Sequence, residues 1–134
     1  MKKQALITGA TSGIGRATAL RLSADGWDVA ATGRRAERLD ALRREIEAAG
    51  GRCTALVFDV RSEAEVRKFL SPLERVDLLI NNAGLAAGLE HIDQGDTADW
   101  DAMIDTNVKG LLYVTRVVTP KMVAAGGGHV FNIG

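Results

Sequence analysis

Residues 8–15 of this chain, Thr-Gly-Ala-Thr-Ser-Gly-Ile-Gly, decide how it folds. An apolar run at residues 5–8 leads into them, and from Ile14 onward apolar side chains recur every three or four positions, as at Leu20 and Ala24. The short run is typical of a buried strand, whereas the spacing that follows is typical of a helix. The stretch therefore predicts a strand, a glycine turn and a helix in succession.

The three glycines of this turn have separate predicted tasks. Gly9 permits a tight turn, Gly13 lets the backbone approach a pyrophosphate, and Gly15 lets the helix lie close to the sheet. Because the helix N-terminus presents free N–H groups, we expect the turn to bind a dinucleotide rather than to be a loop without a ligand. A triphosphate-binding loop fits less well, since no Lys-Ser or Lys-Thr pair follows the glycines. The predicted cofactor contacts in the turn are Gly9, Thr11, Ser12, Gly13, Ile14 and Gly15.

The strand and helix pattern repeats along the chain. Further apolar runs occupy residues 28–32, 54–58 and 76–80, and HVFNIG at 129–134 is typical of a buried strand that runs into a glycine. Strands that alternate with helices require right-handed crossovers and give a parallel sheet. The order predicts a single domain, residues 1–134, with an α/β fold: a Rossmann-type doubly wound parallel sheet of five strands alternating with four helices.

The fourth helical pattern, at residues 100–125, is the longest. Its predicted inward stripe consists of Trp100, Ile104, Val108, Leu111 and Val118. Asn107 falls on the same stripe, where an amide is costly unless it is hydrogen-bonded. Either neighbouring backbone or a polar group of a functional site could meet it, and the spacing does not choose between them.

Composition narrows the functional classes. Seventeen basic side chains balance seventeen acidic ones, so no overall field favours nucleic acid as a partner. The single cysteine, Cys53, excludes an internal disulfide, favours a reducing, cytoplasmic setting and is expected to be inert. His91 and His129 lack metal-ligand spacing, so no metal is expected. The apolar run at residues 5–8 is too short for a signal peptide or a membrane span, and we expect a soluble protein that does not engage a membrane.

The end of the second predicted strand indicates which dinucleotide binds. A carboxylate about 20 residues after the glycines would accept a hydrogen bond from a ribose 2′-hydroxyl and select NAD. Here Gly33 is followed by Arg34 and Arg35, and the next acidic residue is Glu37. Two planar, permanently charged donors suit a 2′-phosphate, so NADP is the predicted cofactor. The alternative is that both arginines are ordinary surface residues of the next helix.

Taken in order, these motifs resemble those of the classical short-chain dehydrogenase/reductase family. The resemblance rests on TGATSGIG at 8–15, Asp59-Val60, Asn-Asn-Ala-Gly at 81–84 and Asn107 in IDTNVKG. It extends over the whole chain, and the motifs together are far more specific than any one of them.

The resemblance implies roles for individual residues. Asp59 and Val60 would hold the adenine, and Ile133 would lie near the nicotinamide. Asn107 would hold a water on a proton relay. The residues implied to line the ribose are Asn82, Ala83 and Gly84.

The family's catalytic acid is not found in this sequence. The family uses a serine shortly after the fifth strand and a tyrosine followed four residues later by a lysine, while NADP(H) carries the hydride. The sole tyrosine, Tyr113, has Val117 at that position. A positioned acid contributes about 10² to 10⁴ in rate, so we expect residues 1–134 to be the cofactor-binding portion of an enzyme, without its catalytic portion and inactive alone.

The implied activity is hydride transfer between NADP and a small alcohol or carbonyl substrate. GRR at 33–35 and NNAGLAAGLE at 81–90 are similar to the subgroup that acts on 3-hydroxy acids and serine-like alcohols. Family members commonly pair through the long helix and the next one, so a homodimer or homotetramer is expected for the complete protein. The alternative is a non-catalytic dinucleotide-binding module that acts as a sensor or partner domain, against which the open sheet edge at Val130 argues.

Overall fold

A computed structural model describes residues 2–134, which form one parallel sheet of five strands. The strands are β1 (Gln4–Ile7), β2 (Asp28–Gly33), β3 (Cys53–Val57), β4 (Leu78–Asn81) and β5 (His129–Asn132). Their order across the sheet is β3-β2-β1-β4-β5, and every neighbouring pair is parallel. The predicted α/β fold of Rossmann type is confirmed.

Helices cover both faces of the sheet. They are α1 (Gly13–Ala24), α2 (Ala36–Ala48), α3 (Glu63–Leu70), α4 (Thr97–Ile104) and α5 (Leu111–Ala124). Successive residues of β1 point to opposite faces: Ile7 packs with the buried side chains of α1 and α2, whereas Leu6 packs with those of α3 and α5. This double burial explains why the strands are almost continuously apolar. None of the helices described combines the length and the apolar character that a membrane crossing requires.

The longest helical run differs from the prediction. It begins at Thr97 and ends at Ala124, but a π-helical segment, Asp105–Gly110, divides it into α4 and α5, so that residues 2–134 contain five α-helices rather than four. A π turn holds more residues than an α turn, so the helix presents a different face after it. Ile104, the last residue of α4, and Val108, within the π-helical segment, were both predicted to face inward but are 51% and 52% exposed. The residues of α5 that are buried are Val114, Val118 and Met122.

The last strand is also less buried than predicted. All four residues of β5 are exposed, and Phe131 is 54% accessible. β5 pairs with β4 along one side only and forms an edge of the sheet. An apolar pattern predicts a strand that is stable when other elements cover its faces. For a strand at the edge of a sheet, the pattern does not specify which elements cover it.

Candidate functional site

A cleft lies at the carboxyl ends of the strands, near the place where β1 and β4 are neighbours. The chain leaves β1 for α1 on one face of the sheet and leaves β4 for the helical run that ends in α5 on the other. Loops that diverge in this way leave a crevice, which is where open parallel sheets bind ligands. Ten predicted site residues line this cleft: Gly9, Thr11, Ser12, Arg34, Arg35, Asp59, Val60, Asn82, Ala83 and Gly84.

Five other predicted site residues do not line the cleft itself. Gly13, Ile14 and Gly15 form the first turn of α1, and the Ile14 side chain is 61% exposed beside the glycine turn. Ile133 follows β5, and its N–H donates to the Asn81 carbonyl at 3.0 Å. The fifth residue, Asn107, lies in the π-helical segment.

Five further residues line the cleft that were not among the predicted site residues. They are Thr32, Gly33, Phe58, Leu85 and Thr106. Gly33, Phe58 and Leu85 each stand directly beside a predicted site residue at the ends of β2, β3 and β4, and Thr32 precedes Gly33. Adjacency to those motifs is therefore a signal that could find them. Thr106 directly precedes the predicted residue Asn107 in the π-helical segment, so the same signal could find it.

The glycine turn is built for close approach of backbone segments. A side chain at Gly15 would place its Cβ 2.2 Å from the Gly9 carbonyl oxygen, so the helix could not lie where it does. Gly13 has a φ of +56°, a conformation that favours glycine, and a Cβ there would meet no atom within 4 Å. The sequence expectation for Gly15 is thus matched by close contact, and Gly13 presents open backbone toward solvent.

Hydrogen bonds fasten the glycine turn to the loop after β4. The Thr8 hydroxyl oxygen accepts from the backbone N–H groups of Asn82, at 3.0 Å, and Ala83, at 2.9 Å. In return, the Asn82 side-chain amide donates to the Gly9 carbonyl at 3.1 Å. On the other side, the Ala10 N–H donates to the Thr32 carbonyl at 3.0 Å. The turn is therefore held from both β2 and β4, and part of what Asn82 does is structural.

The N-terminus of α1 suits an anion. Its N-cap residue, Ser12, makes no side-chain capping bond, and its first turn contains no acidic residue. The first N–H groups of a helix have no partner within the helix, and the helix dipole places partial positive charge there. By contrast, α3 is capped by Ser62, whose hydroxyl oxygen accepts from the Glu65 N–H at 3.2 Å. The N–H groups of α1 are thus left for a ligand, as phosphate-binding helices require.

Basic side chains border the other end of the cleft, at the ends of β2 and β3. Arg34, 58% exposed, places its guanidinium 3.9 Å from the Asp59 carboxylate. Arg61, which the sequence analysis does not single out, binds the same carboxylate at 2.8 Å. Burial acts to raise the pKa of Asp59, but hydrogen bonds from Arg61 and the charges of Arg61 and Arg34 hold that pKa below its ordinary value. Asp59 is therefore an anion between two cations at physiological pH.

The loop that carries Asp59 is positioned by the start of α3. In a full capping box the Glu65 carboxylate would accept from the N–H of Ser62, but here it accepts from the Asp59 N–H at 3.1 Å. The Ser62 N–H donates instead to the Asp59 carbonyl. These two bonds, from Ser62 and Glu65 at the start of α3, therefore fix the backbone of Asp59.

Asn107 binds a backbone segment remote in sequence. Its side-chain oxygen accepts from the Leu85 N–H at 2.8 Å, and its side-chain N–H donates to the Leu85 carbonyl at 2.9 Å. The polar partner is therefore the loop after β4 and not the backbone of its own helix. Gly110 permits this placement, because a Cβ at Gly110 would lie 2.7 Å from Val60.

Two residues with chemically reactive side chains, Cys53 and Tyr113, contribute to packing. Cys53 lies at the amino end of β3 and is 6% exposed. Burial is the main cause that raises the pKa of its thiol to about 11, which agrees with the prediction of an inert cysteine. Tyr113 is partly buried against the core beneath α3 and α5. Residues 2–134 contain no cluster of three or more His, Cys, Asp or Glu side chains that could hold a metal ion.

The comparison with known families gives one match that spans almost the entire chain. Residues 3–134 match the family model for short chain dehydrogenases. The NADP-dependent 3-hydroxy acid dehydrogenase of Salmonella typhi is 46% identical over an alignment of 133 positions, which covers 96% of this chain and 52% of that enzyme. The chain thus spans about half the length of the curated relatives it matches.

Solved structures agree with the family match. Serine dehydrogenase from Escherichia coli superposes with a TM-score of 0.91 at 44% identity, over 98% of this chain and 61% of that one. A metagenomic short-chain oxidoreductase in complex with NADP gives a TM-score of 0.94 at 36% identity, over 98% of this chain and 62% of that one.

Proposed function

The chain belongs to the short chain dehydrogenase family, and from this premise we propose that residues 1–134 are the NADP(H)-binding portion of an oxidoreductase. The observation that carries the proposal is the convergence of separate motifs on one cleft. The glycine turn, the arginines after β2, the Asp59 loop and the loop after β4 all line it. The Salmonella typhi relative is an NADP-dependent dehydrogenase, which supports NADP(H) as the cofactor.

The residues present fit NADP(H) at both charged parts of the molecule. The uncapped N-terminus of α1 offers N–H groups to the pyrophosphate, and the open backbone at Gly13 leaves room for it. Arg34 and Arg35 offer guanidinium groups to the 2′-phosphate, and Gly33, the last residue of β2, carries no competing carboxylate. When bound, the nicotinamide would donate or accept the hydride.

The other predicted contacts follow the layout of the cleft. Asp59 and Val60 would hold the adenine, and residues 82–84 would line the ribose, since both sets already border the same space. The exposed Ile14 would cover the pyrophosphate, and Ile133 would lie toward the nicotinamide. The assignments of residues 59, 60 and 82–84 rest on their position in the cleft, whereas those of Ile14 and Ile133 rest on the family resemblance.

Asn107 is proposed to hold a water for proton transfer. An amide side chain has two N–H donors and an oxygen with two lone pairs. The pairing with Leu85 uses one N–H and one lone pair, and the side chain is exposed. One donor and one acceptor site therefore remain for a water molecule, while the Leu85 backbone fixes the orientation of the amide.

We propose that residues 1–134 bind cofactor without turning over substrate. No tyrosine in this stretch is followed four residues later by a lysine, and the side chain of Tyr113 is partly buried against the core. The substrate class proposed for the whole protein is a small alcohol or carbonyl compound, with a 3-hydroxy acid favoured by the name of the Salmonella typhi relative. The relatives lend no support to the alternative of a non-catalytic sensor module.

Self-association of the protein is proposed through the outer face of the long helical run. Ile104, Val108 and Leu112 lie four residues apart, and each is more than half exposed. Contiguous exposed apolar side chains on one helix mark an association surface. Sedimentation equilibrium should give a dimer or tetramer, and Val108→Asp should lower the association constant if this face is used.

Isothermal titration calorimetry with NADPH and NADH tests the cofactor proposal. We expect saturable NADPH binding with a Kd at least about tenfold lower than that for NADH, because the 2′-phosphate adds charge-assisted hydrogen bonds. A titration without a saturable signal would refute binding. Tighter binding of NADH would refute the assignment of Arg34 and Arg35.

A further inference from the structure

The last residue of β2, Gly33, faces the glycine turn. A Cβ at Gly33 would lie 2.5 Å from the Thr11 methyl carbon, and only 3.7 Å from the Thr11 Cβ and the Leu39 Cγ. The first distance is well inside van der Waals contact, whereas the other two are ordinary. Gly33 does not have a positive φ, so space and not backbone conformation requires glycine here. The Thr11 methyl group therefore fills the volume of a side chain at position 33.

The backbones of both residues are held in place. Beside Thr11, the Ala10 N–H donates to the Thr32 carbonyl at 3.0 Å. The Gly33 carbonyl accepts from the Phe58 N–H at 3.1 Å, and Gly33 pairs with Val57 in the sheet. Neither segment can withdraw to make room without breaking these bonds. The contact must be relieved, if at all, by the Thr11 side chain.

The Thr11 side chain has few ways to move aside. A threonine carries a methyl, a hydroxyl and a hydrogen on Cβ, and χ1 rotates among three staggered positions. Of the two rotations that remove the methyl from its present place, one substitutes the hydroxyl oxygen and only the other substitutes hydrogen. The rotation that puts the hydroxyl oxygen in the place of the methyl group still leaves a clash with a side chain at position 33.

We propose that Thr11 is a specificity residue for the cofactor, because its methyl group keeps position 33 free of the carboxylate that would select a ribose 2′-hydroxyl. The proposal rests on the proposed NADP(H) binding and adds a steric element to the charges of Arg34 and Arg35. Selection against NAD(H) is thereby built into the packing between the glycine turn and β2. Position 33 is where such a carboxylate would stand, about 20 residues after the glycines.

The packing is tested first without cofactor, by thermal unfolding of Gly33→Ala, of Thr11→Ser and Thr11→Val, and of the two double variants. Gly33→Ala should lower the melting temperature by about 3 to 10 °C, as overpacking does. In the Thr11→Ser background, which lacks only the methyl, the same change should leave the melting temperature unchanged or raise it. In the Thr11→Val background, which keeps a methyl in more rotamers, the loss should persist. If Gly33→Ala lowered the melting temperature equally with threonine and with serine at position 11, the proposal would be overturned.

The specificity is tested by calorimetric titration of NADH into Gly33→Asp and into Thr11→Ser/Gly33→Asp. The double variant should bind NADH at least about tenfold more tightly than the single variant, because the carboxylate then reaches the 2′-hydroxyl. Equal NADH affinities would overturn the role of Thr11. If the unsubstituted protein failed to bind NADPH, the proposed function would be lost, while the melting temperatures would still report on the contact.

Discussion

Asn107 and Leu85 are joined by two hydrogen bonds, which link the side-chain amide of Asn107 to the backbone N–H and carbonyl of a residue 22 positions away. The π-helical segment that carries Asn107 is thereby attached to the loop after β4. The same loop is attached to the glycine turn through Thr8. The three segments that surround the cleft are thus linked by hydrogen bonds, and each link can be removed separately.

Replacement of Asn107 should loosen the loop after β4. In Asn107→Ala both bonds to Leu85 are lost, so hydrogen exchange of the Leu85 N–H should accelerate about tenfold or more, which corresponds to a loss of about 1.4 kcal/mol or more. Asn107→Asp keeps an acceptor for that N–H and should show a smaller effect. Lys109→Ala, in the same π-helical segment, is the control and should leave Leu85 unaffected. Unchanged exchange in Asn107→Ala would show that the pair does not hold the loop.

Replacement of Thr8 should destabilise the protein through two unsatisfied N–H groups. Thr8 is 1% exposed, and Thr8→Val removes the acceptor but keeps the shape. We expect the free energy of unfolding in urea to fall by about 1 to 3 kcal/mol. Thr8→Ser keeps the hydroxyl and should lose about 1 kcal/mol or less, from one methyl group. Equal stabilities of the two variants would mean that the hydroxyl oxygen is not the acceptor.

The arginines after β2 should matter for NADPH and not for NADH. Arg34→Ala and Arg35→Ala should each raise the Kd for NADPH about tenfold, since a charge-assisted bond to phosphate is lost. The Kd for NADH should change by less than about threefold. Arg44→Ala is the matched control, because Arg44 pairs with Asp40 on the exposed face of α2. Equal weakening of both cofactors would place the 2′-phosphate elsewhere.

Local sequence signals were sufficient for most of the fold. The change from a strand pattern to a helical one across a glycine turn defines β1 and α1, and the same signals define the next two repeats. The π-helical segment Asp105–Gly110 gave no such signal, because a change in hydrogen-bond spacing leaves no characteristic residue. A stripe drawn with constant helical spacing through this segment therefore placed Val108 on the wrong face.

The sequence predicts those residues of the site that directly follow predicted strands. Arg34 and Arg35 directly follow β2, so their place at the cleft follows from the order of strands. The contact between Thr11 and Gly33 and the bonds between Asn107 and Leu85 join segments about 22 residues apart in the chain. Such pairings depend on the relative placement of loops, which periodicity does not fix.

Cys53 should make the stability of the protein depend on pH in the alkaline range. The thiol is 6% exposed, and its pKa is about 11 in the folded protein against an ordinary value of 9.0. Between these values the unfolded chain ionises first and releases the proton, so the free energy of unfolding should fall as pH rises, by about 2 to 3 kcal/mol in total. Urea unfolding of Cys53→Ala supplies the control, since lysines and the tyrosine titrate in both proteins. The difference in stability between the two should be constant below about pH 8 and should narrow toward pH 11, and a constant difference throughout would show that the thiol ionises as readily in the fold as in water.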